Sequence, residues 1–153
     1  MVVIHGISLP PKQYGGFYID QFFTNTLDEK AHPYFLEICH LTVSSHLMIN
    51  RSGVITQYVP FTMRAWHAGE SSFKGRSSCN DYSIGIELEG ADDEAYESIQ
   101  YKILVSVLMV IMSNWPLINS ERIVGHSDIA PGRKTDPGAA FDWVHLNMLI
   151  DDV

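Results

Sequence analysis

Apolar positions recur along this chain in two periods, one typical of strands and one typical of helices. In "YSIGIELEG", residues 82–90, every second residue is apolar, which predicts a strand with one face in the core and acid on the other. Apolar residues recur at helical spacing from Glu94 to Trp115, where Pro116 ends a predicted long core helix. "SSHLMI" and "VITQYVP" flank the turn Asn50–Gly53 and predict a β-hairpin.

Shorter patterns fill the rest of the chain. The β-branched run Met1–His5 predicts a strand that leads His5 into the turn-rich segment "GISLPPKQYGG". The other predicted elements are short helices at 17–23 and in "HPYFLEI", a strand in "RIVGH" and a closing helix over Phe141–Ile150. Because strands and helices alternate, we expect a single α/β domain, residues 1–153, with a central mixed sheet flanked by helices.

Gly125–Gly138, "GHSDIAPGRKTDPG", gathers charged residues where glycine and proline disfavour regular structure. Pro131 and Pro137 also push the residue before each of them towards an extended backbone. The segment is predicted to be a rigid loop, the kind of scaffold on which binding and catalytic groups concentrate.

Composition narrows the classes of partner. A formal charge of −8 argues against nucleic acid and membrane as partners, and no protein partner is implied. Cys39 and Cys79 form no disulfide framework and are interpreted as free thiols in a reducing compartment. The N-terminal residues lack a basic segment and an apolar run of signal-peptide length, so we expect a cytoplasmic location. The longest apolar run, the ten residues Ile103–Met112, is too short to span a bilayer.

Candidate metal ligands lie at two strand ends. His5 and His126 each follow a predicted strand and enter a loop, and either Asp128 or Asp136 could add a carboxylate. Two histidines and one carboxylate with a fourth position open are the ligands of a catalytic zinc ion.

Four further groups of residues are candidates for catalysis or substrate binding. Lys134 and Asp136, two apart in an extended segment, should point to the same side. Glu87 and Glu89 share a strand face with Gly85, and alternation does not separate them. Trp66 and His67 lie in a glycine-containing loop that could line a groove. Ser127 is not a serine-hydrolase nucleophile, because no Gly-x-Ser-x-Gly motif surrounds it.

Several long motifs resemble one known family. They are "VVIHGISLPP", "HPYF", "VSSHLMINRSGVITQYVPFTMRAWHAGESSFKGRSSCNDYSIGIELEG" and "GHSDIAPGRKTDPGAAFDW". They are similar to the cytoplasmic 1,6-anhydro-N-acetylmuramoyl-L-alanine amidases of the AmpD type, zinc enzymes related to peptidoglycan recognition proteins. The resemblance implies the amidase fold of that superfamily. It also implies hydrolysis of the lactyl amide between anhydro-N-acetylmuramic acid and L-alanine in recycled muropeptides.

The resemblance also implies residue roles. It assigns one zinc ion to His5, His126 and Asp136, general acid/base catalysis to Glu87 and transition-state stabilisation to Lys134. Candidate substrate-binding residues are Trp66, His67, Tyr34, Arg133 and Arg64. The alternative is a non-catalytic module that binds muropeptide, since related recognition proteins keep the groove but lose a metal ligand.

Overall fold

A central sheet organises the chain in the computed structural model, which describes residues 1–152. The strands are β1 (Val2–Ile7), β2 (Leu47–Ile49), β3 (Ile55–Gln57), β4 (Ser72–Phe73), β5 (Arg76–Ser77), β6 (Ile84–Glu89) and β7 (Ile123–Gly125). Five of them form one sheet in the order β3-β2-β6-β1-β7, and β4 pairs with β5 in a separate hairpin. Because β2 and β3 are antiparallel and the other neighbours are parallel, the sheet is mixed, as predicted.

Helices cover both faces of this sheet. They are α1 (Tyr18–Phe23), α2 (Phe35–Ile38), α3 (Ser98–Asn114), α4 (His126–Ile129) and α5 (Trp143–Asp151). The largest core cluster packs α3 and α5 against one face, and two smaller clusters pack the remaining helices against the other. Among residues 1–152, no helix has both the length and the apolar character needed to cross a membrane.

The pairing of β1 with β6 sets which side chains share a face. Val2 and Ile4 lie in the cluster with α3. Because side chains alternate along a strand, Val3 and His5 point to the opposite face. His5 is in register with Glu87 across the parallel pair, which brings an imidazole and a carboxylate to the same side of the sheet.

The structure departs from the predicted elements in three places. The long helix begins at Ser98 rather than Glu94, because Gln100 Oε1 accepts the Glu97 N–H at 2.9 Å and caps the helix there. The expected loop after Gly125 begins with the helical turn of α4. Both faces of β6 are buried, so its acidic face is not on the surface. Val153, the last residue of the predicted domain, lies outside the described residues.

Smaller shifts affect the other elements. The first strand continues to Ile7, the closing helix runs over Trp143–Asp151, and the sequence did not predict the β4–β5 hairpin. Asp142 caps the closing helix by accepting the His145 N–H at 2.8 Å.

Gln100 ties the long helix to two sheet strands. Its side chain is fully buried, and Nε2 donates to Ile49 O at 3.2 Å and to Glu89 O at 3.1 Å. These carbonyls belong to the last residues of β2 and β6, so one amide joins the ends of neighbouring parallel strands.

Replacing Gln100 with leucine should therefore destabilise the fold. Gln100→Leu removes the amide donor that two buried carbonyls share, and we expect the free energy of unfolding to fall by about 2–4 kcal/mol. Urea denaturation measures the change, with Gln57→Leu on the exposed side of β3 as the control. Equal stability of the two variants would contradict this role for Gln100.

Candidate metal centre and catalytic groove

Three side chains from distant parts of the chain converge on one point. His5 Nδ1 lies 3.0 Å from His126 Nδ1 and 3.0 Å from Asp136 Oδ2. The third edge, from His126 Nδ1 to Asp136 Oδ2, is 3.1 Å. Among the described residues this is the one group of three or more potential ligands that could hold a metal ion.

Local structure delivers each of the three. His5 comes from the central strand β1, and His126 is the first residue of α4, directly after β7. The loop that follows folds back, because the Ser127 N–H donates to Asp136 O at 3.0 Å. Tyr96 supports the same loop by donating its hydroxyl proton to Pro137 O at 2.9 Å.

The donor set fits a zinc ion. Two nitrogen lone pairs and a carboxylate oxygen repel one another at these distances unless a cation or a proton lies between them. A tetrahedral zinc ion with bonds of about 2.0–2.1 Å places its ligand atoms about 3.3 Å apart, so small outward shifts of these side chains accommodate it.

Burial sets the protonation of these groups. It lowers the pKa of His5 to about 4, although Asp136 opposes the shift. Burial alone would raise the pKa of Asp136, but the adjacent imidazoles of His126 and His5 outweigh burial and lower that pKa below its usual range. The neutral imidazole and the carboxylate are the forms that bind metal.

The other candidate carboxylate, Asp128, lies outside the cluster. It is exposed, and its Oδ2 accepts the Gly125 N–H at 2.7 Å at the start of α4. The structure therefore brings Asp136, and not Asp128, to the two histidines.

The two glutamates of β6 have different surroundings. Glu87 is buried beside His5, and its pKa is raised well above its usual value by burial and then by the charge of Asp136, against the effect of Lys134. Glu89 is equally buried, but its carboxylate accepts the Gly15 and Arg51 N–H groups. Glu89 thus anchors two loops, whereas Glu87 lines the open groove.

This groove has a volume of about 540 Å³, and its lining has a polar part and an apolar part. The polar part contains the three potential ligands together with Glu87 and Lys134. The apolar part includes Leu9, Phe22, Phe23, Tyr34, Ile38 and Leu41. A ligand that fills the groove must combine a polar reacting group with a less polar body.

The candidate substrate-binding residues divide into two groups. Tyr34, Trp66 and His67 line the groove. Arg64 and Arg133 do not belong to its lining. The Arg64 guanidinium lies 3.8 Å from the centre of the Trp66 ring and pairs with Asp81 at 2.7 Å. Arg133 donates to the carbonyls of Ala68 and Glu70, each at 2.6 Å.

Sequence patterns did not predict two features of the site, its apolar wall and the Ala68 carbonyl. The apolar wall from α1 and α2 has a detectable signal, the aromatic cluster in "FYIDQFF" and "HPYF", which predicted helices but not a groove. The carbonyl of Ala68, which accepts from His126 Nε2 at 3.1 Å, is a backbone group and leaves no trace in residue type.

Comparison with known proteins identifies close relatives. Residues 1–139 match the family described as N-acetylmuramoyl-L-alanine amidase. The chain is 54% identical over 150 residues to the 1,6-anhydro-N-acetylmuramyl-L-alanine amidase AmpD of Escherichia coli K12, covering 98% of this chain and 81% of the relative.

Solved structures agree with this relationship. A crystal structure of a selenomethionine AmpD derivative superposes with a TM-score of 0.96 at 53% identity, covering 98% of this chain and 83% of that one. The Escherichia coli amidase AmiD, solved with the substrate anhydro-N-acetylmuramic acid-L-Ala-D-gamma-Glu-L-Lys, has a TM-score of 0.71 at 31% identity. That match covers 96% of this chain and 55% of AmiD.

If Asp136 is the anionic ligand of a zinc ion, removing its charge should abolish tight zinc binding. Asp136→Asn takes away the charge that favours a dication, and we expect a loss of zinc affinity beyond the roughly 10–100-fold typical of an outer-shell change. Elemental analysis and chelator competition measure it. Asp128→Asn is the matched control and should keep its zinc; a reversed order of the two variants would move the third ligand to Asp128.

Proposed function

Because this chain belongs to the N-acetylmuramoyl-L-alanine amidase family, we propose that its groove holds one zinc ion and that Glu87 and Lys134 perform the catalytic steps. The chain is an amidase that hydrolyses the bond between N-acetylmuramic acid and L-alanine in peptidoglycan recycling. The convergence of His5, His126 and Asp136 in the lining of the groove, with Glu87 beside His5, carries the proposal. We include in it the cytoplasmic location predicted from the sequence.

His5, His126 and Asp136 would hold the metal. When bound, zinc supplies Lewis acidity, which polarises a carbonyl group and lowers the pKa of a water molecule. Three protein ligands leave the open position that a catalytic site requires. With two neutral histidines and an ionised Asp136, the bound ion and its ligands would carry a net charge of about +1. This remaining positive charge is what keeps the site Lewis acidic.

Glu87 would move the proton. Its raised pKa makes its carboxylate a stronger base than an exposed glutamate, so it accepts the proton of the attacking water more readily at neutral pH. The protonated carboxyl then donates to the alanine nitrogen as the amide bond breaks. This second transfer is needed because an amine anion is a very poor leaving group.

Lys134 would stabilise the charge that develops on the carbonyl oxygen. It lies in the groove lining on the same loop as Asp136, and its charge is felt at both His5 and Glu87. A fixed positive charge near a developing oxyanion lowers the barrier more than it strengthens ground-state binding.

The groove suits a muropeptide. Its polar part would receive the lactyl amide, while Tyr34, Trp66 and the apolar wall would contact the sugar ring and the stem peptide. Arg64 and Arg133 were predicted to bind substrate, but their guanidinium groups already have protein partners. We propose instead that Arg64 supports the Trp66 ring and that Arg133 fixes the loop at Ala68.

Conversion of Glu87 to glutamine should stop turnover and leave the metal in place. In Glu87→Gln the new side chain keeps the shape but cannot carry a proton, so we expect kcat to fall by about 10²–10⁴-fold. Release of the stem peptide from anhydro-muropeptide, with and without a chelator, measures it. Glu89→Gln is the control: it should lower stability while the folded protein stays active.

The same assay separates an amidase from a binding module. A binding module would retain muropeptide without cleaving it in the zinc-loaded wild-type protein. If Glu89→Gln were inactive and Glu87→Gln active, the assignment of the general base on β6 would be wrong.

Lys134→Ala should lower kcat and kcat/KM together, with little change in substrate affinity. Loss of one electrostatic contact to a transition-state charge costs on the order of 10²–10³ in rate. Steady-state kinetics on anhydro-muropeptide, with direct binding to a Glu87→Gln background, measures both quantities. A raised KM with an unchanged kcat would instead mean that Lys134 binds a carboxylate of the substrate. Lys102→Ala, at an exposed position of α3, is the control for the loss of one positive charge.

A further inference from the structure

His67 lies behind the potential ligand His5, on the side away from the proposed metal. His67 Nδ1 is 2.9 Å from His5 Nε2, and the two rings meet edge to face at 87° with their centres 5.0 Å apart. On its other side, His67 Nε2 lies 3.2 Å from Ser83 Oγ. Both ring nitrogens of this buried side chain therefore have protein partners, and neither is free to bind a substrate.

The direction of these hydrogen bonds follows from one backbone carbonyl. Ser83 Oγ lies 2.6 Å from Cys79 O, and a carbonyl only accepts, so the single hydroxyl proton of Ser83 is committed there. Ser83 Oγ must then accept from His67 Nε2–H. A neutral His67 with its proton on Nε2 presents a lone pair at Nδ1, which accepts from His5 Nε2–H. The remaining nitrogen of His5, Nδ1, is left unprotonated and faces His126 and Asp136.

Ala68, the residue after His67, fixes the tautomer of His126 in a similar way. Ala68 O accepts from His126 Nε2 at 3.1 Å, so the neutral tautomer of His126 that fits this bond presents a lone pair at Nδ1. The Arg133 guanidinium donates to the same carbonyl at 2.6 Å and lies 3.4 Å from His126 Nε2. Because the guanidinium and the Nε2–H group are both donors, they do not hydrogen-bond each other but share Ala68 O as acceptor. Two adjacent residues thus orient both histidines of the cluster.

The segment His67–Ala68 is itself held rigidly. Asn80 Oδ1 accepts both the His67 N–H at 3.0 Å and the Ala68 N–H at 2.8 Å. Gly85 leaves room for the ring, since a Cβ there would lie 2.4 Å from His67 Cγ. The position of His67 is therefore fixed by β6 and by the turn around Asn80, independently of the ligands.

We infer that His67 is a positioning residue: the chain of hydrogen bonds from Cys79 O through Ser83 and His67 holds His5 in the tautomer whose Nδ1 is free for the metal. The inference rests on the proposed function, because it concerns affinity for the zinc ion of that site. It replaces the predicted role of His67 in binding substrate.

The test compares two variants of His67 by zinc affinity and by imidazole tautomer. His67→Phe keeps a ring but removes the acceptor, and we expect zinc affinity in chelator competition to fall by about 10–100-fold. His67→Asn offers an amide oxygen near the position of Nδ1 and should recover most of the loss. In the zinc-free protein, nitrogen-15 NMR should find His5 protonated at Nε2 in the wild type and redistributed towards Nδ1 in His67→Phe.

Two controls separate positioning from general damage. His145 is a half-buried histidine of α5 whose ring packs on Tyr101 with centres 5.1 Å apart, on the face of the sheet opposite to the cluster. His145→Phe should leave zinc affinity and the His5 tautomer unchanged. If His67→Phe fails to fold, Ser83→Ala tests the same chain of bonds and should shift the His5 tautomer in the same direction.

Two results would overturn the inference. One is wild-type zinc affinity and an unchanged His5 tautomer in folded His67→Phe; the other is a raised KM with unchanged zinc affinity, which would return His67 to substrate binding. A wild-type protein that binds no zinc would instead refute the metal of the proposed function, and the His5 tautomer would still decide the role of His67.

Discussion

The parallel pairing of β1 with β6 is the constraint on which the site depends. It places His5 beside Glu87 on one face of the sheet, while Ile4 and Ile86 on the other face enter the core under α3. A shift of one residue in this register would send every side chain of one strand to the opposite face. The hydrophobic core and the candidate site are therefore specified by the same pairing.

Residue patterns predicted the architecture because its main elements are long or strongly periodic. The alternation in β6 and the helical spacing of α3 needed no knowledge of tertiary contacts. The start of α3 was missed by four residues, since Ala95 continues the apolar spacing and only the Gln100 cap fixes the boundary at Ser98. Helix α4, with four residues, is too short to show a period, and Pro131 and Gly132 made its segment look like a loop.

Within the site, residue type was informative only for groups that carry the chemistry. Alternation put Glu87 and Glu89 on one face but could not tell them apart, because the difference lies in the Gly15 and Arg51 amides that occupy Glu89. His67 was taken for a groove residue, which it is. Its contacts with His5 and Ser83, 62 and 16 residues away in sequence, left no mark in the motif "RAWHAG".

The sequence separation of the cluster has a consequence for biosynthesis. His5 is 121 residues from His126 and 131 residues from Asp136, so the three donors are assembled only when almost the whole chain is present. An unfolded or nascent chain would have to close these long loops to capture an ion, which opposes binding before folding. Metal loading would then be a late event in the maturation of the protein, and an ion bound only by the folded state would shift the folding equilibrium towards it.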